Sequence, residues 1–538
     1  MPDLEAELRR ILAEIVGSNA ARKIIVAGPG TGKTTLFRRL LEAREGPRDG
    51  RLVLTFINNL RAELEEALGE RARVLTFHGY CRRLLHRSAE LRAGLTEDFR
   101  YYPPLPSLIE ADWAAARGRP VPKFVGLMRR REPGAATTFS LERGSYYDSV
   151  SFDDSVFRVE GALEAHPDEI ETFETVLIDE YQDFNAVEAA LLDRLATRSP
   201  IVIAGDDDQA LYSLLRSSSP EFIRGRYGSG AYARFALPFC MRCPEVIVRA
   251  VGDIVERARA AGRLGGRIEK PYEPYPPRKG RDSARYPRIK VVQTSVQSLK
   301  ANYFGRYIAQ EIDAIAAEEV AEAHEGGFPT VLVIGPGQYL LQVRRHLEAH
   351  GYQCGTPGAS EPVAVRREEG LAILHAEPDA NLGWRILLKT DDPPFHAEVI
   401  RASVANRRPL IELVPPEYRD RILAEAAVYE ELPAAPPPAQ AVDPARATIR
   451  FASFEGSKGL SGQHVFVVGL HEGDLPRRAV AADDLEVCKM IVAITRTRKQ
   501  CHLLYTRRWS NQAKRPSPFV AWIRPERREF VNVTKEYW

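Results

Sequence analysis

The sequence predicts an α/β protein built from two parallel sheets, each covered by helices. Short runs of β-branched and other apolar residues recur between stretches with helical periodicity. These runs are continuously apolar instead of alternating, which is typical of strands that are buried on both faces, as in parallel sheets. The runs form two series along the chain, and we therefore expect two α/β layers that meet near residues 230–250.

The strands of the two series can be assigned in chain order. The first series is predicted at residues 23–27, 51–56, 73–77, 175–179 and 200–204. The second series is predicted at residues 232–237, 288–293, 330–335, 447–452, 464–470 and 501–505. Most of the segments between these strands have helical patterns, as the crossover connections of a parallel sheet require.

Two segments interrupt this alternation. Residues 82–172 contain no buried-strand pattern and are predicted to form a mainly helical insertion in the first layer. Residues 357–447 are predicted to form a short accessory insertion in the second layer, ending in the proline-rich stretch LPAAPPPAQAVDPARA, which favours an extended linker. This division predicts a first domain at residues 1–81 and 173–240 and a second domain at residues 241–356 and 448–538.

Composition excludes several classes of protein. With 538 residues, of which 44% are apolar and 28% charged, the chain is expected to be soluble and to contain full cores. Its 6 cysteines are too scattered for a disulfide framework, and its start lacks the pattern of a signal peptide, so we expect a cytoplasmic protein. The net charge of +2 means that any nucleic-acid site must come from locally grouped basic residues.

The stretch AGPGTGKTT, residues 27–35, follows the first predicted strand and opens a helix. A loop of this kind directs backbone N–H groups and a helix N-terminus toward phosphate oxygens. Lys33 is expected to reach the β- and γ-phosphates, and the hydroxyl of Thr34 to contact Mg²⁺. The predicted nucleotide-binding residues are Gly28, Pro29, Gly30, Thr31, Gly32, Lys33, Thr34 and Thr35.

Three acids are crowded into VLIDEYQDF, residues 176–184. Alone, this stretch fits either a cation site or the acidic start of a solvated helix. The phosphate loop favours the first interpretation, because Asp179 ends an apolar strand whose carboxyl end would reach the same metal. Asp179 is therefore a predicted Mg²⁺ ligand, and Glu180 is predicted to orient or deprotonate the attacking water.

Three further residues complete the predicted catalytic set. Gln209, in AGDDDQALY, follows another buried strand and is placed to sense the γ-phosphate. Arg242, in LPFCMRC, and Arg496, in VAITRTR, are predicted to stabilise charge in the transition state. A single arginine is more often a surface residue, so these two predictions depend on the order and spacing of the motifs.

That order resembles a known family. The succession AGPGTGKT, LTFINN, LTFHGYC, LIDEYQDF, GDDDQALY, LPFCMRC, SFEGSKGLSGQHVFVVGL and VAITRTR is similar to the ordered motifs of the UvrD/Rep branch of the superfamily-one helicases. The resemblance covers about residues 20–506. It implies two RecA-like domains with ATP and Mg²⁺ between them, movement 3′-to-5′ on single-stranded or tailed duplex DNA, and unwinding of the duplex. By position, the implied DNA contacts are Phe56, Asn58, Thr76, His78, Ser457 and Lys458.

The sequence also departs from the family pattern. The first fifty residues contain no glutamine, so the residue that reads adenine in the family is missing. Leu214 replaces an aromatic residue of the DNA-binding motif, and Cys240, Glu455 and Ser461 replace a usual Asn, His and Glu. These departures leave a second interpretation open, a DNA-sensing ATPase subunit that regulates a partner nuclease, as in antiviral defence. An unrelated phosphate-loop ATPase is a third interpretation.

Overall fold

The computed structural model describes residues 3–55, 58–92, 94–355, 364–429, 446–478 and 482–538. Within these ranges the chain forms two six-stranded sheets in which all neighbouring strands are parallel. Helices cover both sheets, so the predicted α/β fold with two RecA-like layers is confirmed.

The N-terminal sheet carries the phosphate loop. Its strands, in spatial order, are Arg73–Thr76, Arg51–Thr55, Thr175–Ile178, Ile201–Gly205, Arg22–Ala27 and Ala233–Leu237. The helices around it are Leu4–Gly17, Lys33–Glu42, Asn58–Leu68, Ala186–Leu195, Ser213–Arg216 and Glu221–Gly228. Consecutive residues of one strand enter different cores: Ile24 packs with Leu52, whereas Ile25 packs with Val53. This burial on both faces explains the continuously apolar runs.

The C-terminal sheet has the strand order Ile449–Ala452, Val331–Ile334, Gly462–Val468, Thr497–Thr506, Ile289–Thr294 and Arg528–Val533. Its helices are Glu245–Ala260, Pro276–Arg285, Tyr303–Asp313, Ala317–Glu325, Gly337–Ala349, Asp484–Ile494 and Pro518–Trp522. The first of these helices packs with the Asp484–Ile494 helix against one face of the sheet.

One strand assignment was wrong. The strand predicted at 232–237 does not open the second series, because Ala233–Leu237 pairs in parallel with Arg22–Ala27 at the edge of the N-terminal sheet. The chain passes to the C-terminal sheet only after this strand. A short parallel pair, Phe239–Cys240 with Glu273–Pro274, follows at the crossing.

The two insertions are mainly helical. The first contains the helices Phe77–Arg87, Ala89–Arg92, Leu105–Arg117, Phe124–Arg129, Ala135–Tyr146 and Phe152–Ala165. It also contains a short parallel pair of strands, Arg100–Tyr101 with Ser149–Val150, which the sequence did not predict. The second contains the helices Arg367–Ala376, Asn381–Asp391, His396–Asn406, Leu410–Leu413 and Pro416–Ala427. The proline-rich stretch predicted as a linker lies almost entirely outside the described residues.

The insertions share one hydrophobic core. Leu108 and Phe124 of the first insertion belong to the same buried cluster as Trp384 and Ile400 of the second. The carboxylate of Asp112 lies inside this cluster with no solvent exposure. We call this contact between the two insertions the insertion interface.

Asp112 joins the two sides of the insertion interface. It accepts hydrogen bonds from Nε of Arg385 at 2.7 Å and from Nε of Arg143 at 2.9 Å. Arg143 in turn donates to the hydroxyl of Ser403 at 3.1 Å. A buried carboxylate is thus paired with one arginine from each insertion, which satisfies its charge inside an apolar environment.

Candidate active site

The phosphate loop lies between the Arg22–Ala27 strand and the Lys33–Glu42 helix. Gly30 has φ +71°, and a Cβ there would lie 2.5 Å from Cβ of Arg242, so both its backbone conformation and its surroundings require glycine. Two segments that follow the N-terminal sheet hold the loop. The N–H of Met241 donates to the carbonyl of Gly30 at 2.9 Å, and the hydroxyl of Tyr272 donates to the carbonyl of Pro29 at 3.0 Å.

Glu180 lies between two ammonium groups. Its Oε1 is 3.0 Å from Nζ of Lys33, and its Oε2 is 3.2 Å from Nζ of Lys458. Burial opposes ionisation, but the charges of the two lysines outweigh it and hold the pKa of Glu180 well below its usual range. The residue also has φ 54°, a left-handed conformation that is uncommon outside glycine and often found at functional sites. Glu180 is thus a fixed anion next to the phosphate loop.

Asp179 offers a second carboxylate, directly after the strand Thr175–Ile178 and next to Glu180. Its Oδ1 accepts the N–H of Glu180 at 3.0 Å, and within the described ranges no other group donates a hydrogen bond to it. Burial and the neighbouring charge of Glu180 raise its pKa. Thr34 lines the same cavity. A carboxylate and a hydroxyl are the hard oxygen donors that Mg²⁺ prefers, so these residues fit the predicted ion.

Arg496 reaches Gln209 across the boundary between the two sheets. Its Nη2 donates to Oε1 of Gln209 at 3.1 Å, and Nε2 of Gln209 donates to Oδ2 of Asp206 at 2.9 Å. The guanidinium group is held from behind by the carbonyl of Val492 at 3.0 Å. The residue predicted to sense the γ-phosphate is therefore in direct contact with one of the predicted arginines.

All the residues predicted for nucleotide binding and catalysis, except Gly28, line one cavity of about 220 Å³. The lining consists of Pro29, Gly30, Thr31, Gly32, Lys33, Thr34, Thr35, Glu63, Asp179, Glu180, Gln209, Met241, Arg242, Arg278, Lys458, Gly459, Arg496 and Arg498. Gly28 lies just beneath it, against the ring of Tyr272. A larger cavity of about 890 Å³ lies between the insertions, but it has no phosphate loop and no paired lysines and carboxylates.

The residues predicted to contact DNA are not gathered in the same way. Phe56 lies outside the described residues, and Asn58 begins a helix whose first side chains are also outside them. The hydroxyl of Thr76 caps the next helix by accepting the N–H of Gly79 at 3.0 Å. His78 packs edge-on against Phe152 at 5.1 Å, and burial lowers its pKa to about 4.

Ser457 and Lys458 are both buried. The hydroxyl of Ser457 donates to the carbonyl of Phe454 at 2.7 Å and has no solvent exposure. The ammonium group of Lys458 contacts Glu180 and Asp183 and donates to the carbonyl of Gln209 at 2.9 Å. In this conformation, Lys458 belongs to the nucleotide cavity. A role for any of these residues in DNA binding stays a prediction.

Sequence reasoning missed a buried charge cluster behind Gln209. Nζ of Lys270 lies 2.8 Å from Asp206, 2.9 Å from Asp207 and 2.8 Å from Asp208. Arg267 pairs with Asp208 at 2.8 Å, so this group of three acids, which has the composition of a metal site, is neutralised by basic side chains. The GDDDQ motif signals the acids, but nothing in the sequence pattern identifies Lys270 as their partner.

Comparison with known proteins agrees with this geometry. Residues 13–214 match the family described as an AAA domain. Over 251 aligned residues the chain is 29% identical to the ATP-dependent DNA helicase UvrD1 of Mycobacterium leprae, an alignment that covers 36% of this chain and 32% of that protein. The chain is thus similar to UvrD-type helicases over part of its length. It is also 24% identical over 242 residues to the ATP-dependent DNA helicase PcrA of Staphylococcus epidermidis, which covers 37% of this chain and 33% of that protein.

These similarities have a limited extent. The chain spans about a third of the length of the curated relatives that it matches. The match to the AAA domain ends at residue 214, before Arg242 and Arg496, so the placement of these two arginines in the site depends on the structure. Across the described ranges, none of the helices combines the length and the apolar character needed to cross a bilayer.

Proposed function

We propose that the chain is an ATP-dependent DNA helicase or translocase that uses Mg²⁺ and moves 3′-to-5′ on single-stranded DNA. The observation that carries the proposal is the cavity between the two sheets, where Lys33, Glu180 and Gln209 of one side meet Arg242 and Arg496 of the other. The similarity to UvrD1 and PcrA supports DNA as the substrate. The division into two motor domains with two insertions, and a cytoplasmic location, belong to the same proposal.

The chemistry assigned to each residue follows from its position. The phosphate loop and Lys33 would bind the phosphates, and Asp179 with Thr34 would hold Mg²⁺, which neutralises charge on the phosphate oxygens when bound. Glu180 is the general base for water, since its low pKa keeps it ionised and the two lysines fix its position. Arg242 and Arg496 approach from the other side and stabilise charge that develops on the γ-phosphate.

Lys458 gives the site a further property. Its ammonium group occupies the space between Glu180, Asp183 and the carbonyl of Gln209, where it forms ion pairs with both carboxylates. In this arrangement the proposed base is engaged on both sides by lysines. We propose that the productive state requires Lys458 to release Glu180, so that the carboxylate can accept a proton from water.

The proposal is tested by measuring phosphate release from ATP with and without single-stranded DNA. Lys33→Ala should abolish nucleotide binding, whereas Glu180→Gln should retain binding and lower kcat by about 10²–10⁴-fold. Duplexes with a 3′ or a 5′ single-stranded tail then test polarity. Absence of DNA stimulation, with ATP still hydrolysed, would remove the motor and leave an ATPase.

The second candidate function is a DNA-sensing ATPase subunit that assists a partner nuclease. It is favoured by the burial of Ser457 and Lys458 and by Leu214, which is 79% exposed where the family has an aromatic residue. The relatives named above are helicases, however, and neither name refers to a nuclease. Strand displacement by the isolated chain would exclude this candidate, and strand displacement only after addition of a co-purifying protein would favour it.

A further inference from the structure

Arg498 contributes a guanidinium group to the wall of the nucleotide cavity. This residue was not part of the predicted site. It lies on the strand Thr497–Thr506, two residues after Arg496. Its Nε donates to Oγ of Ser461 at 2.9 Å, and its Cζ lies 3.7 Å from the centroid of the Phe328 ring. A stacked and hydrogen-bonded guanidinium has a fixed plane, because rotation would break both contacts.

Most of the hydrogen-bonding capacity of Arg498 is unused. In the part of the chain that the structure describes, its two Nη groups have no hydrogen-bond acceptor and no carboxylate lies within ion-pair distance. Burial and the nearby positive charge of Arg242 lower its pKa to about 10. A largely buried cation next to other cations is unfavourable until an anion arrives.

The rest of the cavity wall supplies no ion-pair partner for Arg498 within the described residues. The charge of Glu63 interacts with Arg242 and Arg498, but Glu63 forms no ion pair with either. Its basic side chains are Lys33, Arg242, Arg278, Lys458, Arg496 and Arg498. Its acidic side chains are Glu63, Asp179 and Glu180. Glu180 is already paired with two lysines, and Asp179 is suited to a metal ion. Positive charge is thus in excess on this wall, and Arg498 is one of the groups that lack a partner.

We propose that Arg498 is a third arginine of the nucleotide site and that its Nη groups bind phosphate oxygens of the nucleotide. Phe328 and Ser461 are its positioning residues. Two parallel N–H groups of a guanidinium match two oxygens of a phosphate, which gives strong, charge-assisted hydrogen bonds. This inference rests on the proposed function, because it assigns a further contact to the same nucleotide.

Ser461 provides a direct way to test the assignment. A hydroxyl at this position orients Arg498 without neutralising it, since a serine carries no charge. A carboxylate at the same position would form an ion pair with Arg498 and remove its positive charge from the cavity. Ser461→Glu should therefore mimic the loss of Arg498 while leaving the arginine in place.

The experiment is calorimetric titration of the full chain with the Mg²⁺ complex of a non-hydrolysable ATP analogue. Arg498→Ala should weaken binding by about tenfold or more, the expected loss for a charge-assisted hydrogen bond. Ser461→Glu should weaken binding in the same direction, and the double variant should be no weaker than Arg498→Ala alone. Arg498→Lys, which keeps the charge but not the fork, should bind with intermediate affinity.

Controls separate this role from a structural one. Arg508→Ala removes an exposed arginine that follows the same strand and should leave affinity unchanged. Circular dichroism melts of each variant without nucleotide report folding, and Ser461→Glu replaces Arg498→Ala as the decisive variant if the latter does not fold. Affinity of folded Arg498→Ala or Ser461→Glu within about twofold of the parent chain would overturn the inference. Failure of the parent chain itself to bind the analogue would instead overturn the proposed function.

Discussion

Two interfaces join the N-terminal and C-terminal parts of this molecule, and they are built in opposite ways. The nucleotide cavity is polar, and several of its basic groups, Arg242 and Arg498 among them, lack carboxylate partners within the described residues. The insertion interface is mainly apolar, and the charge of Asp112 is paired with Arg143 and Arg385. In the first interface these cations lack ion-pair partners, whereas in the second a carboxylate is bound by arginines from both insertions.

This difference indicates how each interface should respond to a ligand. A cavity with unpaired cations gains stability when a polyanion binds, so its two sides are drawn together by the nucleotide. A shared hydrophobic core with a paired charge has no such dependence and holds its sides together at all times. We expect function to depend on the first interface and stability to depend on the second.

The largest expected effect is on turnover. Arg496→Lys keeps a positive charge but loses the planar group that contacts Gln209, and we expect kcat to fall by about a thousandfold, within the range for arginine fingers. Steady-state ATP hydrolysis measures this change, with Arg508→Lys as an exposed control. A clear fall in the melting temperature of Arg496→Lys relative to the parent chain would show that the cavity also supports the fold. That result would contradict the division of function and stability between the two interfaces.

The next effect is on stability. Asp112→Ala leaves Arg143 and Arg385 buried without their counter-ion, and we expect the free energy of unfolding to fall by about 3–5 kcal/mol. Denaturant titration measures the change, and Asp98→Ala, at an exposed position in the same insertion, serves as control. A change below about 1 kcal/mol would mean that the insertion interface is weaker than its contacts indicate.

The comparison also predicts a pattern of hydrogen exchange. Addition of Mg²⁺ and a non-hydrolysable ATP analogue should slow exchange in the phosphate loop and around Gln209, with stabilisation of about 2.7 kcal/mol at a ligand concentration of 100 Kd. Exchange in the helices Leu105–Arg117 and Asn381–Asp391 should not change. Lys33→Ala should remove the nucleotide effect. Equal protection of the two helices would show that the interfaces do not respond separately.

The smallest expected effect is a pH dependence of the insertion interface. Burial and the charge of Arg385 lower the pKa of His396, with Asp392 and Asp112 opposing this shift. Because the folded pKa is below the unfolded value of 6.5, stability should be complete above pH 6.5 and fall as the pH decreases through the folded pKa.

His396→Asn should flatten that dependence. We expect the pH-dependent change in the free energy of unfolding to decrease by less than about 1.4 kcal/mol, the equivalent of one pKa unit. Thermal melts between pH 7 and pH 5 measure it, with the exposed His350 replaced in the same way as control. A steeper dependence in His396→Asn than in the parent chain would contradict the assignment.

Local motifs allowed the sequence to predict the phosphate loop and the acids of the N-terminal sheet. A run such as KIIVAGPGTGKTT encodes a strand, a turn and a helix within one short segment, so the direction of the chain fixes where Lys33 lies. The same holds for Asp179, since a carboxylate that ends a buried strand must lie at the carboxyl edge of the sheet. These predictions needed no knowledge of distant contacts.

The partners contributed by distant segments were not predictable in this way. Asp112 lies in a helix of the first insertion, and its burial is explained by Arg143 and by Arg385, which is far along the chain. Lys270 and Tyr272 lie in a segment without a motif, yet they hold the acids behind Gln209 and the phosphate loop. Arg498 could have been recognised, because it lies in the motif VAITRTR, two residues after Arg496.

The fused insertions have a mechanical consequence. Each insertion is connected to its own sheet, and the two sheets also meet at the nucleotide cavity, so the four parts form a closed linkage. In a closed linkage of rigid parts, a rotation at one joint must be matched at the others. Widening of the nucleotide cleft then requires the two sheets to rotate about the joined insertions, which act as the pivot.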